Sequence, residues 1–238
     1  MNTESTNQSF LSGIRGGLSI AIGYFPIAVA FGLLAKNVGL TSLETVMMSI
    51  FVFAGAAQFM SLNLIALGTA GVEIVLTTFI VNIRHLLMSA SLNEKMHKDK
   101  GWKRALYAFG ITDETFSVLA TKPGPVTSQY AFGVILCGYS SWVFSSFLGF
   151  IIGSFLPVVL QESMSIALYS MFVGLLVPSM KKSVKVFSLA FLSAAFHSIF
   201  FVAGLSTGWA ILFASLLSAV LVELITTVKG RGAVPRES

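Results

Sequence analysis

Pro123–Gln161 reads PGPVTSQYAFGVILCGYSSWVFSSFLGFIIGSFLPVVLQ, 39 residues without one Asp, Glu, Lys or Arg. A second uncharged run, Val186–Val222, has 37 residues. A helix needs about 20 apolar residues to cross a bilayer, so each run holds more than one crossing needs. The rest of the 238-residue chain agrees: 55% of residues are hydrophobic, 11% are charged, and the mean hydropathy is +0.85. Ordinary soluble domains carry about 25% charged residues, and half that charge cannot coat a water-facing surface. The sequence is that of an all-α polytopic membrane protein. It excludes a soluble enzyme and a nucleic-acid binder. The net charge of +5 reads as cytoplasmic-loop Lys and Arg rather than a polyanion site. The one cysteine, Cys137, leaves no intrachain disulfide and no cysteine zinc cluster. The chain reads as one transmembrane transporter domain, 1–238, with polar ends at 1–13 and 229–238 and no cleavable signal peptide.

Charges and Gly/Pro breaks divide the chain into eight segments, at about 16–35, 45–67, 73–92, 105–121, 130–155, 163–180, 184–203 and 209–228. Segment four is exceptional, because Asp113 and Glu114 stand side by side in it. Two acids at mid-membrane cost about 5–7 kcal/mol, and the six large apolar residues of the segment return only about 2–4 kcal/mol. The segment should not insert alone as an ordinary span. The positive charges agree. Eleven of fifteen lie in three clusters: Lys95, Lys98, Lys100, Lys103 and Arg104; Lys181, Lys182 and Lys185; and Lys229, Arg231 and Arg236. All three fall on one side of the membrane if segment four enters without crossing. The expected architecture is therefore about seven transmembrane helices plus one broken or re-entrant segment. In it the N-terminus is outside and the C-terminus cytoplasmic.

Polar residues inside the spans are expensive and therefore informative. Thr78, Asn82, His85 and Ser89 are offset by four, three and four, which places them on one helical stripe. The stripe reads either as an interhelical hydrogen-bond seam or as the wall of a polar cavity. Arg84 lies off it, and reads either as a side chain snorkelling to the interface or as an anchor for a carboxylate. Asp113 and Glu114 are not expected to stay ionised together in low dielectric. That suits reversible protonation; the plainer alternatives are an aqueous rim or a pair with Arg84. Gln58 follows the small run Ala54-Gly55-Ala56-Ala57, and His197 stands alone in segment seven. In Gly23-Tyr24-Phe25-Pro26, Pro26 removes a backbone donor, so a kink or a break is expected there. Gly138, Ser141, Ser145, Gly149 and Gly153 form a small-residue stripe that reads as close helix packing. No G-x-x-x-x-G-K-[ST] run and no H-E-x-x-H run occurs. The longest internal loop is about a dozen residues, too short for a soluble catalytic domain. An ion- or proton-driven transporter fits better than an enzyme.

Four blocks carry a resemblance: Gly23-Tyr24-Phe25-Pro26 with Ala30-Phe31-Gly32, then Phe53-Ala54-Gly55-Ala56-Ala57-Gln58-Phe59, Val81-Asn82-Ile83-Arg84-His85-Leu86-Leu87-Met88-Ser89, and Thr112-Asp113-Glu114-Thr115-Phe116. In order and spacing they resemble the AzlC family, the large subunits of branched-chain amino acid permeases. The resemblance runs over nearly the whole chain and is densest in 16–120. It implies a multi-pass protein of the bacterial cytoplasmic membrane that exports leucine, isoleucine and valine, with methionine a further substrate, under the proton motive force. It also implies a small AzlD-like membrane subunit as partner, no cofactor and no metal. On that reading the substrate-binding residues are Pro26, Phe25, Phe31, Gly55, Gln58 and Asn82, with Phe59 beside them. The proton-coupling residues are Asp113, Glu114, Arg84 and His85. The rival readings are a membrane subunit or an ion channel without amino-acid transport of its own.

Overall fold

Ten α-helices account for the described residues, and their ends fall where the sequence supplies caps. The computed structural model describes residues 9–97, 99–155 and 157–231. Lys98, Arg236 and the polar stretches 1–8 and 232–238 lie outside the described residues. Helix α1 (Phe10–Asn37) starts at Ser9, whose hydroxyl accepts from the Ser12 amide. It runs through Pro26 without interruption, so the break expected there is absent. Ile22, the i−4 partner that the proline ring crowds, is 73% exposed, so the strain falls on the open face while the other face stays packed.

The breaks come elsewhere. Segment two is two helices, α2 (Ser42–Phe51) and α3 (Gly55–Ala66), separated by Val52-Phe53-Ala54. Thr41 and Glu44 form a reciprocal capping box at the start of α2. The Thr41 amide and hydroxyl both donate to the Glu44 carboxylate at 2.7 Å and hold its carboxyl below the usual carboxylate range. Helix α4 is Gly71–Lys95, with Glu73 in its first turn and Lys95 in its last, the order that suits the helix dipole. Segment four is α5 (Gly101–Phe109) and α6 (Asp113–Thr121), parted at Gly110-Ile111-Thr112. Each of these four short helices has 9–12 residues. At 1.5 Å per residue they reach about 13–18 Å, half of a 30 Å hydrocarbon core. The long helices α7 (Ser128–Ile152), α8 (Val158–Lys182), α9 (Val184–Val202) and α10 (Thr207–Arg231) follow. The fold class is the expected one, all-α and polytopic. Segment two joins segment four as a broken segment, which leaves six long helices.

The chain divides into two compact units, residues 1–62 with 81–168 and residues 63–80 with 169–238. In the first, α1 and α7 lie side by side and parallel at a nearly constant offset. A Cβ on Gly13 would meet the Tyr130 carbonyl at 2.2 Å, and one on Gly32 the Ser146 carbonyl at 2.0 Å. The small-residue stripe of segment five is the contact surface. Ser141 donates to the Ala21 carbonyl at 2.7 Å, and a Cβ on Gly149 would meet the Val29 carbonyl at 2.1 Å. Backbones this close leave room for no side chain between them.

The two hairpins approach this pair from opposite ends. The α5–α6 hairpin leaves and returns at the Lys95 end of α4. Val126 pairs with Met96, through its amide to the Lys95 carbonyl and its carbonyl to the His97 amide, at 2.9 and 3.1 Å. The Lys95 ammonium also holds the Ala120 carbonyl, and the Ser128 hydroxyl holds Asp99. The α2–α3 hairpin starts after the Asn37 end of α1. Its break reaches Tyr24, where Phe53 packs edge-on at 6.1 Å. Helix α3 then turns back, and Phe59 packs against Phe31, two turns nearer that end. One expectation is corrected here. The N-terminal end of α1 lies beside the start of α7, and so beside the Lys95–Arg104 cluster, not across the membrane from it. The reason is that segment two returns instead of crossing, which makes α1 and α7 parallel.

In the second unit α9 and α10 form an antiparallel pair. Lys185 meets Glu223 at 2.6 Å, and the Ser193 and Ser218 hydroxyls bond to each other. His197 stacks on Phe201 one turn along α9. Buried Glu73 accepts from the Ser206 hydroxyl and from the Trp209 amide at 3.0 Å, which caps the start of α10.

Candidate functional site

Tyr24 lies midway along α1, and the breaks of both hairpins close on it. Its side chain is 5% exposed. Its hydroxyl lies 2.6 Å from Thr112 Oγ1 and donates to Glu114 Oε2, also at 2.6 Å. Thr112 ends the break of segment four and caps α6 by accepting from the Thr115 amide at 3.3 Å. The cap leaves Asp113 and Glu114 in the first helical turn, where the helix dipole favours negative charge. A Cβ on Gly110 would lie 2.1 Å from Ile135 Cγ2, so the residue that opens this break fits only as glycine.

The two acids turn to different partners. Asp113 pairs with the Arg84 guanidinium of α4 at 3.0 Å, and Glu114 takes the Tyr24 hydroxyl. Arg84 Nε is enclosed without a hydrogen-bond partner. His85 is half-buried and within electrostatic range of Arg84, Asp113 and Glu114.

On its other side the Tyr24 ring meets Trp142 of α7 edge-on at 5.1 Å. Trp142 Nε1 donates to Gln58 Oε1 at 2.7 Å. Gln58 is fully buried, and its amide nitrogen reaches Ser49 Oγ at 3.4 Å. Ser49 donates to Ser146 at 2.9 Å, and Ser146 donates to the Trp142 carbonyl at 2.7 Å. This network ties α2, α3 and α7 together with no polar atom of Gln58 wasted, as burial demands. Gly55 opens α3 directly under Trp142, where a Cβ would meet Cη2 at 2.7 Å. Fully buried Phe31 packs against Phe59 at 5.7 Å and stacks on Trp142 at 6.4 Å.

The structure therefore gathers Asp113, Glu114 and Arg84, with His85 nearby, and it gathers Gly55, Gln58 and Phe31 around Trp142. Asn82 is half-buried two residues before Arg84, with its Oδ1 enclosed and unpartnered. Phe25 and Pro26 lie exposed on α1, outside this cluster. Of the polar stripe on α4, Thr78 turns its hydroxyl back to the carbonyl of Ile74 at 2.7 Å. Sequence reasoning missed Tyr24, Thr112, Trp142, Ser49 and Ser146. A hint was present, because a Tyr or Trp at mid-span needs a partner for its O–H or N–H.

The site lies within the part of the chain that comparison identifies. Residues 19–156, more than half of the chain, match the family model described as AzlC protein. The inner membrane protein YgaZ of Escherichia coli is 32% identical over 73% of this chain and 74% of its own length. The branched-chain amino acid transport protein AzlC of Bacillus subtilis is 25% identical, over 79% and 76% of the two chains. An uncharacterized membrane protein of Archaeoglobus fulgidus is 28% identical, over 76% and 80%. No solved structure matches. With its polytopic helical fold and the site inside the matched region, the chain belongs to the AzlC family.

Proposed function

We propose that this chain is the large subunit of a permease that exports branched-chain amino acids across a bacterial inner membrane, driven by the proton motive force. The observation that carries this reading is the cluster of Asp113, Glu114, Arg84 and Tyr24 at the meeting point of two broken segments. Broken helices expose backbone dipoles near the midplane, where transporters bind substrate and coupling ions. The first turn of α3, Gly55-Ala56-Ala57, follows three residues that carry no side-chain acceptor, and its N–H groups suit the amino acid's carboxylate. The unpartnered Asn82 Oδ1 suits its ammonium. Phe31 and Phe59 suit its aliphatic side chain. One of the two carboxyls, Asp113 or Glu114, exchanges the proton, with Arg84 and His85 as the partners that tune it. The similarity to the Bacillus subtilis protein supports the cargo. A small AzlD-like subunit completes the permease.

Reconstitution tests this. Proteoliposomes holding the chain, with and without a co-purified small subunit, are loaded with labelled leucine, valine or methionine. A pH gradient is expected to drive leucine and valine flux that collapses with a protonophore. Substrate-independent proton or cation conductance would make the protein a channel. A stable complex with no flux would make it a structural subunit.

A further inference from the structure

Asp113 and Glu114 are neighbours in sequence with unlike surroundings. Asp113 faces a cation, Arg84, at 3.0 Å. Glu114 faces neutral hydroxyls, through Tyr24 and then Thr112, each step 2.6 Å. We infer that the two acids divide the work: Asp113 is the fixed counter-ion of Arg84, Glu114 is the group that loads and unloads the transported proton, and Tyr24 is the positioning residue that relays the change to both hairpins. This rests on the reading of the chain as a proton-driven amino-acid transporter.

The hydrogen-bond inventory favours Glu114. With its carboxylate ionised, Tyr24 donates to Glu114 and the Thr112 hydroxyl donates to the phenol oxygen. When Glu114 takes a proton from water on one side, its own O–H donates to the phenol oxygen. The Tyr24 proton then turns to Thr112 Oγ1. The proton leaves Glu114 for water on the other side, and Tyr24 and Thr112 end each cycle with the hydrogen they began with. Neither state leaves a polar atom of this chain of three unpaired. Protonating Asp113 has no such compensation. It would strand Arg84, whose Nε already lacks a partner, as an unpaired half-buried cation.

The other groups facing Glu114 fit the same division. From α4 come Arg84, engaged by Asp113, and His85, which is within electrostatic range. From α6 comes Asp113 itself. From α7, Tyr139 packs on Phe53 and Phe109, and its hydroxyl is committed to the Ile50 carbonyl at 3.0 Å. From α1 comes Tyr24 alone, and its ring touches Phe53 of the other hairpin and Trp142, the holder of Gln58. Tyr24 therefore bonds to the break of α5–α6 while packing on the break of α2–α3. A change of hydrogen-bond direction at Glu114 thus bears on the α3 turn proposed for the substrate.

The experiment compares two fluxes in proteoliposomes of the full chain with its co-purified small subunit. One is leucine exchange without a gradient, and the other is net leucine flux driven by a pH gradient, with a trapped pH dye reporting proton movement. Glu114→Gln is expected to lower the ratio of driven flux to exchange about tenfold or more and to abolish leucine-dependent proton movement. Tyr24→Phe is expected to lower the same ratio in the same direction, which a merely structural defect would not do, since that reduces both fluxes together. Asp113→Asn is expected to reduce both fluxes by a common factor, and adding Arg84→Gln to it is expected to restore part of the exchange. A driven-to-exchange ratio unchanged in Glu114→Gln and lost in Asp113→Asn would overturn the inference. Should Glu114→Gln fail to assemble, an unchanged ratio in Tyr24→Phe would overturn it alone. Failure of the transport reading looks different, because the unaltered protein would then show neither flux.

Discussion

Gln58 has no water to turn to, so its amide depends on Trp142 and Ser49. Trp142→Phe keeps an aromatic ring against Tyr24 but leaves Gln58 Oε1 buried without its donor. The expected loss is about 1–3 kcal/mol of stability, read as a lower melting temperature in detergent, and Gln58→Leu in the same background should recover part of it. An unchanged melting temperature in Trp142→Phe would mean that the bond contributes nothing. At this scale much of the site could be read from the sequence. Gln58, Arg84, Asp113 and Glu114 announce themselves because each is costly in hydrocarbon. Tyr24 and Trp142 do not, because most of each side chain is apolar and passes for packing. Phe25 and Pro26 stand instead on the exposed face of α1, outside the buried cluster. A proline in a span suggests a functional break, but a helix packed along one face tolerates a proline on the other.

At the scale of helices and hairpins, the α1–α7 pair is governed by glycines that stand where backbones touch. Gly149→Ala would push a Cβ into the Val29 carbonyl, and neither backbone can yield without parting the helices. The expected cost is about 1–3 kcal/mol, with loss of folded yield in membranes. Gly23→Ala is the matched control. Nothing lies within 4 Å of its Cβ position, so stability should hold or rise by about 0.5–1 kcal/mol. Equal damage from both substitutions would contradict the close packing. The stripe Gly138, Ser141, Ser145, Gly149 and Gly153 showed this interface in the sequence, though not its partner. The interruption of segment four was also visible, because two acids outweigh its apolar residues. The interruption of segment two was not. Val52-Phe53-Ala54 has no charge and no proline, and its neighbour Gly55 shows its purpose only beside the Trp142 ring.

Across the whole molecule, the pattern of a long helix followed by a hairpin at its C-terminal end occurs twice, as α1 with α2–α3 and as α4 with α5–α6. Helix α4 runs from Arg84, level with Tyr24 through the Asp113–Glu114 turn, to Lys95 at the start of α7, so it opposes α1 in direction. The two hairpins therefore enter from opposite ends and meet at Tyr24. This is the inverted arrangement found in many secondary transporters, where one half rocks against the other around a central site. A labelling map tests it in a Cys137→Ser background. Leu11→Cys and Lys100→Cys should react from the same side of the membrane, and Leu43→Cys from the other. Reaction of Leu11→Cys and Leu43→Cys from one side would refute the arrangement. The sequence by itself determined the solvent of this protein and where its charged loops stand along the chain. Apolar length and clustered positive charge fix those one residue at a time, without regard to neighbours. It also marked the acids, because the cost of an ion in hydrocarbon is local. Only the tertiary structure decided that segment two also turns back and which partner each acid meets. Those outcomes depend on contacts between residues about 90 positions apart, such as Tyr24 with Glu114 and Trp142 with Gln58, and hydropathy carries no record of which distant surfaces fit together.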